Sequence, residues 1–407
     1  MKEIFSNPHK EYARTVICCC LFAFGTIGLM DSYGLFDSAQ SAAMGIPFYA
    51  AACHEAASYL AGGLCCFFAL KLIRLLQLRY FVAFSASFHF LGSVMVGLAR
   101  NIPILYLGAV IRGIGIAGCS ILTLNYVIVY WFTDMHGTVL NFILTVAAFL
   151  GMLMPPVVGF LLDTIGFRST YLLFSLSVFL SCVPLALQVS LKPRDKGLPV
   201  FKSAHPDKAE YRPSYNRPFD RHARLYWLTV MFAVGAIMIP VISLQTFGGT
   251  KGLSSPQGAQ LISACLLGNF LIKALYGRLK YAVGVKRMIL LNLLLTSIGL
   301  VLMLKSASYH SLLLGCALYG ASAVNATSGI SELVQQIYGA SFIQAYTDIS
   351  VHTGIASAVG LFAVSFGFSM LNSFNWQLTV MVIIEMLSAV IIIMIQLELL
   401  KTEKNRS

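Results

Sequence analysis

Charged residues are scarce in this sequence. Asp, Glu, Lys and Arg make up 11% of the 407 residues, whereas 58% of the residues are hydrophobic. A soluble protein of this length could not cover its surface with so few charges. The shortage excludes an ordinary soluble domain and indicates a protein that lipid surrounds over much of its surface.

Several patterns that carry catalysis or metal binding are also missing. All 10 cysteines fall within apolar runs, and no Cys-x-x-Cys pair lies in a polar loop, so we expect neither disulfides nor a zinc site. No Gly-x-x-x-x-Gly-Lys-Ser/Thr loop is present, which argues against ATP-driven transport by this chain. Neither His-Glu-x-x-His nor Gly-x-Ser-x-Gly occurs. We therefore predict that the protein is not an enzyme and uses no cofactor or metal.

What the sequence has instead is a series of long apolar runs. An α-helix rises 1.5 Å per residue, so roughly 20 apolar residues cross a bilayer core of about 30 Å. We predict twelve spans, at 13–36, 48–70, 80–99, 103–131, 138–162, 168–190, 225–248, 257–278, 288–305, 311–332, 344–371 and 376–399. The sequence thus predicts an all-α polytopic membrane protein.

The basic residues are distributed unevenly between the two sides of the membrane. The net charge is +12, and most of the 28 Lys and Arg residues fall in segments that the twelve spans place on one side. Cytoplasmic loops carry such an excess of Lys and Arg. We therefore predict that both termini lie in the cytoplasm. We also predict that the protein resides in the plasma (inner) membrane. The positive charge reflects topology, and we predict the lipid bilayer as a partner and no binding of nucleic acid.

The only long polar segment divides the chain into two parts. We predict a six-helix bundle over 1–190, a basic and Pro-rich linker over 191–224, and a second six-helix bundle over 225–407. The bundles are also weakly similar: Arg112-Gly-Ile-Gly in span 4 has its counterpart in Tyr319-Gly-Ala-Ser of span 10, about 207 residues later. Transporters built from parallel repeats place their site between the halves, near the bilayer midplane.

Residues 277–287, GRLKYAVGVKR, resemble the loop signature of the major facilitator superfamily. Gly277, Leu279 and Gly284 match that signature and basic residues follow, whereas Tyr281 replaces its acidic residue. The resemblance implies the superfamily's fold, in which twelve helices form two pseudo-symmetric six-helix bundles that rock about a central site. It also implies a cavity lined by spans 1, 4, 7 and 10, with spans 2, 5, 8 and 11 completing its walls.

Three further segments resemble particular families within this superfamily: GLMDSYGLFDSA (28–39), NIPILYLGAVIRGIGIAG (101–118) and YWFTDMHGTVLNF (130–142). These segments are similar to the corresponding ones of the oxalate/formate antiporter and monocarboxylate transporter families. This implies a monomeric secondary active transporter of a small organic anion, a monocarboxylate for example, by proton symport or by exchange for a counter-anion. Proton-coupled efflux of drugs or other amphipathic solutes is the alternative.

Lys273 is the candidate substrate residue that the resemblance singles out. In the resembling families a basic residue of span 8 lies four residues before the motif glycine and pairs with the substrate carboxylate, and Lys273 occupies that position relative to Gly277. The alternative is that Lys273 snorkels to the interface, which lies only about 6 Å away along the helix. With Lys273 we predict Asn269, Tyr33, Arg112 and Tyr319 as substrate-binding residues.

Four acidic or imidazole groups are candidates for proton coupling. Asp348 and His352 of span 11 share one helix face, where a carboxylate would favour a protonated histidine; an ordinary packed pair is the alternative. Asp31 and Glu55 are the other candidates. Because an unpaired charge within a bilayer is costly, we expect Arg112 to pair with one of these two carboxylates. Apart from Lys273, we expect no buried cation in the second half.

Overall fold

The structure, a computed structural model, describes residues 1–203, 240–306, 308–371 and 373–404. Within these ranges the chain forms helices and no strands, so the predicted all-α fold is confirmed. Residues 204–224 of the predicted linker and 225–239 of predicted span 7 lie outside the described residues. The predicted boundaries of the two bundles stay a prediction.

Eight helical segments of the described ranges are long and apolar enough to cross a membrane. Phe48–Leu98 has 51 residues, and a straight helix of that length would extend about 76 Å, more than twice the bilayer core. It changes direction at Gln77, where φ is 62° and ψ is 159°. The helix Met154–Gln188 breaks in the same way at Gly166, where φ is 77°. Each of these breaks separates two consecutive spans.

Most other boundaries agree with the predicted ones to within a few residues, but the helices of spans 1, 8, 10 and 12 continue past their predicted ends, to Met44, Val283, Tyr338 and Lys404. Of span 7 the structure describes Pro240–Thr250. The remaining helical segments, in chain order, are Glu11–Ala23 and Gly34–Met44 (span 1), Ile102–Ile116 and Ile121–Trp131 (span 4), His136–Gly151 (span 5), Ser255–Val283 (span 8), Val285–Lys305 (span 9), Tyr309–Tyr319 and Ile330–Tyr338 (span 10), Phe342–Leu371 (span 11) and Asn375–Lys404 (span 12).

The surface of the helix bundle is apolar and its interior holds polar groups. Large apolar side chains such as Phe68, Leu75 and Met370 are exposed. Lipid matches such a surface, whereas soluble monomers rarely expose large apolar patches. Charged side chains, among them Glu55 and Arg112, are buried inside. Several charged side chains of the spans are therefore buried where helices meet each other.

We call one end of the bundle the basic end: it contains the turns at Gln77 and Gly284, next to the basic clusters 71–79 and 278–287. Spans 1 and 2 each cross the bundle once before the turn at Gln77, so the start of the chain lies at the same end. There the Tyr12 hydroxyl donates a hydrogen bond to the Pro199 carbonyl over 2.8 Å. The uneven distribution of basic residues is thus present in three dimensions.

Three spans contain irregular segments near their middles. Span 1 passes through a π-helical turn at Phe24–Gly28 and a 3₁₀ turn at Met30–Ser32. Span 4 is interrupted between Ile116 and Ile121, and span 10 contains a π-helical turn at Asn325–Gly329. Irregular backbone at membrane depth is tolerated where protein covers it or a cavity opens beside it, and π-turns are frequent at functional sites. These segments point to the place where a site is to be sought.

Candidate functional site

A cavity of about 250 Å³ lies between the two halves of the chain, which we define as residues 1–203 and residues 240–404. Spans 1, 2 and 4 form its wall on one side, and spans 8, 10 and 11 form the other. Spans 5 and 7, which were expected to take part, contribute no lining residue within the described ranges. The polar side chains of the wall include Thr26, Asp31, Tyr59, Ser120, Asn269 and Thr327.

The irregular segments of spans 1 and 10 open directly onto this cavity. Asp31 belongs to the 3₁₀ turn of span 1, and Thr327 belongs to the π-helical turn of span 10. In span 4, Ser120 lies at the interruption and also lines the cavity. The irregular segments of spans 1, 4 and 10 therefore bring side chains from both halves of the chain to the same cavity.

At the basic end, hydrogen bonds join the two halves below the cavity. The Tyr126 hydroxyl of span 4 and the Thr347 hydroxyl of span 11 lie 2.5 Å apart. The Ser331 hydroxyl of span 10 donates to the Asn125 amide oxygen of span 4 over 2.6 Å. The polar contacts close this end of the structure.

Spans 2 and 11 bring the two halves together within the cavity wall and also beyond it, toward the opposite end. A Cβ atom added to Gly63 would lie 2.9 Å from the Cα of Gly354, so the backbones touch at that point. Farther along, the rings of Phe48 and Phe368 are 6.2 Å apart. Contacts between the halves thus lie on both sides of the cavity along the bundle axis.

Lys273 is buried beside this cavity. It follows Asn269, which lines the cavity, by one helical turn on the same face of span 8. Its side chain is 1% exposed, and within the described residues its ammonium group has no hydrogen-bond or ion-pair partner. It interacts electrostatically with Asp31 of span 1, across the boundary between the halves. A snorkelling lysine would be exposed, so the burial of Lys273 argues against that alternative.

The backbone at Lys273 is also tied to the first half. The Asn141 amide of span 5 donates to the Lys273 carbonyl over 3.0 Å, and its oxygen accepts a bond from the Ser328 hydroxyl over 3.2 Å. Asn141 therefore connects spans 5, 8 and 10 next to the buried lysine. Nothing in the sequence points to this residue, because an asparagine in an apolar run can pair with many different groups.

Arg112 lies in a separate charged cluster within the first half. Its guanidinium group is 2.5 Å from Glu55, donates to the Tyr171 hydroxyl over 2.7 Å and lies over the Tyr33 ring at 5.3 Å. His54 is 3.3 Å from the other Glu55 oxygen. Of the two expected partners, Arg112 therefore pairs with Glu55. Neither Arg112 nor Tyr33 is among the residues that line the cavity.

Asp37 adds a second carboxylate to this cluster. Its side chain is 1% exposed, one of its oxygens has no hydrogen-bond partner, and it interacts electrostatically with Glu55 and Arg112. Nothing in the sequence singles out Asp37, because its spacing from Glu55 does not indicate that the two carboxylates lie close together. Tyr59 lies between this cluster and the cavity: it lines the cavity and interacts electrostatically with Glu55 and with Asp31.

The expectation that the second half contains no further buried cation is wrong. Lys280 is 3% exposed and forms an ion pair with Glu332 over 2.7 Å, and the Tyr276 hydroxyl donates to Glu332 over 3.4 Å. Lys280 belongs to a run of basic residues at a loop, which is why its charge was assigned to the water boundary. Span 8 continues past that point and span 10 supplies a carboxylate, so the charge is buried and paired.

The comparison with protein families decides what kind of protein this arrangement belongs to. The model of the Major Facilitator Superfamily matches residues 15–349, which is most of the chain. The chain belongs to this superfamily. Proteins of the Major Facilitator Superfamily are integral membrane proteins that carry small molecules, and they are generally carriers and not enzymes.

Solved structures of the superfamily share the fold over nearly the whole chain. The human organic anion transporter MFSD10 (TETRAN) has a TM-score of 0.69 at 14% identity, over 95% of this chain and 100% of that one. The xylose transporter XylE from E. coli has a TM-score of 0.70 at 12% identity, over 93% and 95% of the two chains. The nucleoside transporter NupG (D323A mutant) has a TM-score of 0.65 at 12% identity, over 93% and 98%. A comparison with curated protein sequences found no match.

At these identities the likeness establishes the fold alone, since the three carriers are named for different substrates. One predicted site residue, Tyr319, remains to be placed, together with the pair on span 11. Tyr319 is fully buried and does not line the cavity. The His352 Nδ1 atom lies 3.8 Å from an Asp348 carboxylate oxygen. Ser350 and Thr353, which neighbour the pair in the sequence, line the cavity.

Proposed function

We propose that this chain is a secondary active transporter of a small organic anion, most simply a monocarboxylate, that works by alternating access. The observation that carries the proposal is Lys273, a cation buried beside the cavity with no ion pair among the described residues. A buried cation is costly unless something compensates its charge. A substrate carboxylate that enters the cavity would supply the compensation, as the resemblance to the carboxylate transporter families implies.

Asn269 is the second substrate-binding residue that we propose. It lines the cavity, is 3% exposed, and its amide oxygen has no hydrogen-bond partner in the described chain. Buried amide groups normally have partners, and an unsatisfied one costs free energy. A bound substrate would satisfy it.

The coupling that we propose is to a proton or to a counter-anion. A carboxylate bound at Lys273 would share that cation with Asp31, so the site would carry an excess of negative charge. A proton that is taken up with the substrate would remove this excess of negative charge. In exchange for another anion, the site would carry the same charge with either anion bound. Asp31, Glu55, and the pair Asp348 and His352 are the proton-carrying groups that we propose.

We also propose that the basic end faces the cytoplasm, that the protein is a monomer and that it resides in the plasma membrane. The distribution of Lys and Arg supports the orientation, since cytoplasmic loops are enriched in these residues. Single cysteines in place of Lys202 and Lys286 test it, because both positions lie at the basic end. A membrane-impermeant thiol reagent should label them only after the cytoplasmic face has been made accessible.

One observation favours a different substrate class. Asp31 itself lines the cavity, and many of the residues around it are apolar. A cationic amphipathic solute could bind to such a wall, which would make the protein an efflux carrier of drugs or related compounds.

A ligand screen of the purified protein tests the proposed function against this candidate. Ligands that bind only the native state raise its melting temperature. We expect stabilisation by small carboxylates, such as lactate or benzoate, and none by cationic dyes. Stabilisation by the dyes alone would replace the proposed function with efflux of cations.

A further inference from the structure

The wall of the cavity and its immediate surroundings present two opposite charges, one from each half of the chain. Asp31 lies on span 1 and lines the cavity, and Lys273 lies one turn beyond the cavity-lining Asn269 of span 8. The two charges interact electrostatically, but they are not in ion-pair contact within the described structure. In a structural salt bridge the two charged groups are in direct contact, as in the pair of Lys280 and Glu332 at 2.7 Å. Asp31 and Lys273 therefore do not neutralise each other by direct contact, and the cavity lies beside both of them.

The balance of charge restricts what that molecule can be. A plain carboxylate that binds Lys273 brings a second negative charge toward Asp31, and the complex needs a proton in addition. A plain cation that binds Asp31 leaves Lys273 without compensation. A zwitterion satisfies both groups and needs no other ion. We propose that the substrate of this site is a small α-amino acid with an apolar side chain, its carboxylate at Lys273 and its ammonium group at Asp31; this inference rests on the proposed function and narrows its substrate class.

Asn269 supplies a hydrogen-bond partner for each end of such a molecule. Its amide oxygen, buried and without a partner in the described chain, is an acceptor for an ammonium group. Its NH₂ group is a donor for a carboxylate. The residue lies on the same face of span 8 as Lys273, so both contacts can form within one turn of helix.

The rest of the cavity fits the apolar part of the molecule. At about 250 Å³ the cavity is slightly smaller than the usual range for drug-sized ligands, which begins at about 300 Å³. Its wall includes the apolar side chains of Ile27, Ile116, Leu122 and Ile349. An aliphatic side chain matches this wall, whereas a second polar group on the substrate would lose its hydration there.

Leucine and two analogues, each of which lacks one of its charged groups, test the proposal. Leucine carries both charges, 4-methylpentanoate lacks the ammonium group, and 3-methylbutylamine lacks the carboxylate. Binding of each is measured on the purified full chain by calorimetry. A hydrogen bond to a charged group is worth about 1.5–3 kcal/mol, so we expect leucine to bind roughly 10- to 100-fold more tightly than either analogue.

Variants assign the two ends of the ligand to the two residues. Asp31→Asn should abolish the preference for leucine, because it weakens binding of the ammonium group and removes the negative charge that opposes 4-methylpentanoate. Asp31→Glu should keep the preference for leucine. Lys273→Gln should remove the binding of both acids. Asp163→Asn and Lys251→Gln are matched controls, because they make the same chemical changes outside the cavity and should alter none of the three affinities.

The outcomes separate this inference from the proposed function. If 4-methylpentanoate binds as tightly as leucine, and Asp31→Asn leaves their ratio unchanged, the zwitterion is refuted while transport of a carboxylate stands. If 3-methylbutylamine binds best, or no carboxylate of any skeleton binds, both the inference and the proposed function are overturned.

Discussion

Two lysines of one helix should respond in opposite directions to the same substitution. Lys273 and Lys280 both lie on span 8 and both are buried, but Lys280 is paired with Glu332 at 2.7 Å and Lys273 has no ion pair within the described residues. Replacement of each by glutamine removes one positive charge and keeps a polar side chain of similar length. The difference between the two variants therefore reports the environment of the charge.

The expected sizes follow from the two environments. A lysine near the centre of a membrane helix costs about 2.5–3.5 kcal/mol, so Lys273→Gln should stabilise the folded protein by up to about 2–3 kcal/mol. Asp31, the electrostatic partner of Lys273, lines the cavity, where water can solvate it. Its carboxylate therefore does not become a buried, uncompensated charge in Lys273→Gln. Lys280→Gln leaves Glu332 buried without its cation, which should destabilise the protein by about 3–5 kcal/mol.

Unfolding of the purified variants in mixed micelles measures both free energies, and calorimetry with a carboxylate measures binding. Lys273→Gln should lose carboxylate binding while its stability rises, whereas Lys273→Arg should retain part of the binding because the charge remains. If Lys273→Gln is destabilised as strongly as Lys280→Gln, Lys273 has a partner in the folded protein and the reasoning is wrong. Unchanged carboxylate affinity in Lys273→Gln would remove the main support for an anion site.

Three further predictions concern topology, coupling and stability. A cysteine at position 202, in place of Lys202, should react only from the cytoplasm and one in place of Lys251 only from outside; labelling of both from the same side would refute the orientation. Asp348→Asn should abolish accumulation of substrate against a gradient but leave counterflow intact, and normal pH-driven accumulation in this variant would mean that the pair on span 11 is merely packed. Glu55→Gln should lower the free energy of unfolding by about 3 kcal/mol, because Arg112 would stay buried without its carboxylate; a loss below about 1 kcal/mol in chemical unfolding would show that other groups compensate the guanidinium.

The charged residues show how much of the candidate site could be predicted from the sequence. Lys273 was identified because one basic residue stands alone in an apolar run at a position that a family resemblance marks. Lys280 was assigned to a loop because it belongs to a basic cluster, and a cluster looks the same whether one member is buried or all are solvated. Asp37 was passed over because nothing in the local sequence indicates that it faces Glu55 and Arg112.

The sequence by itself determined the fold and the place of the chain in a membrane. The length of each apolar run is a local property of the sequence, and the distribution of Lys and Arg is a sum over residues. Neither depends on how the helices pack against each other. The partners of buried charges were decided only by the tertiary structure: Glu55 and not Asp31 for Arg112, Glu332 for Lys280, and the approach of Asp31 to Lys273 across the cavity. Such pairings depend on the rotation and crossing of helices that are far apart in the chain, and a hydropathy pattern carries no information about which faces of two helices meet.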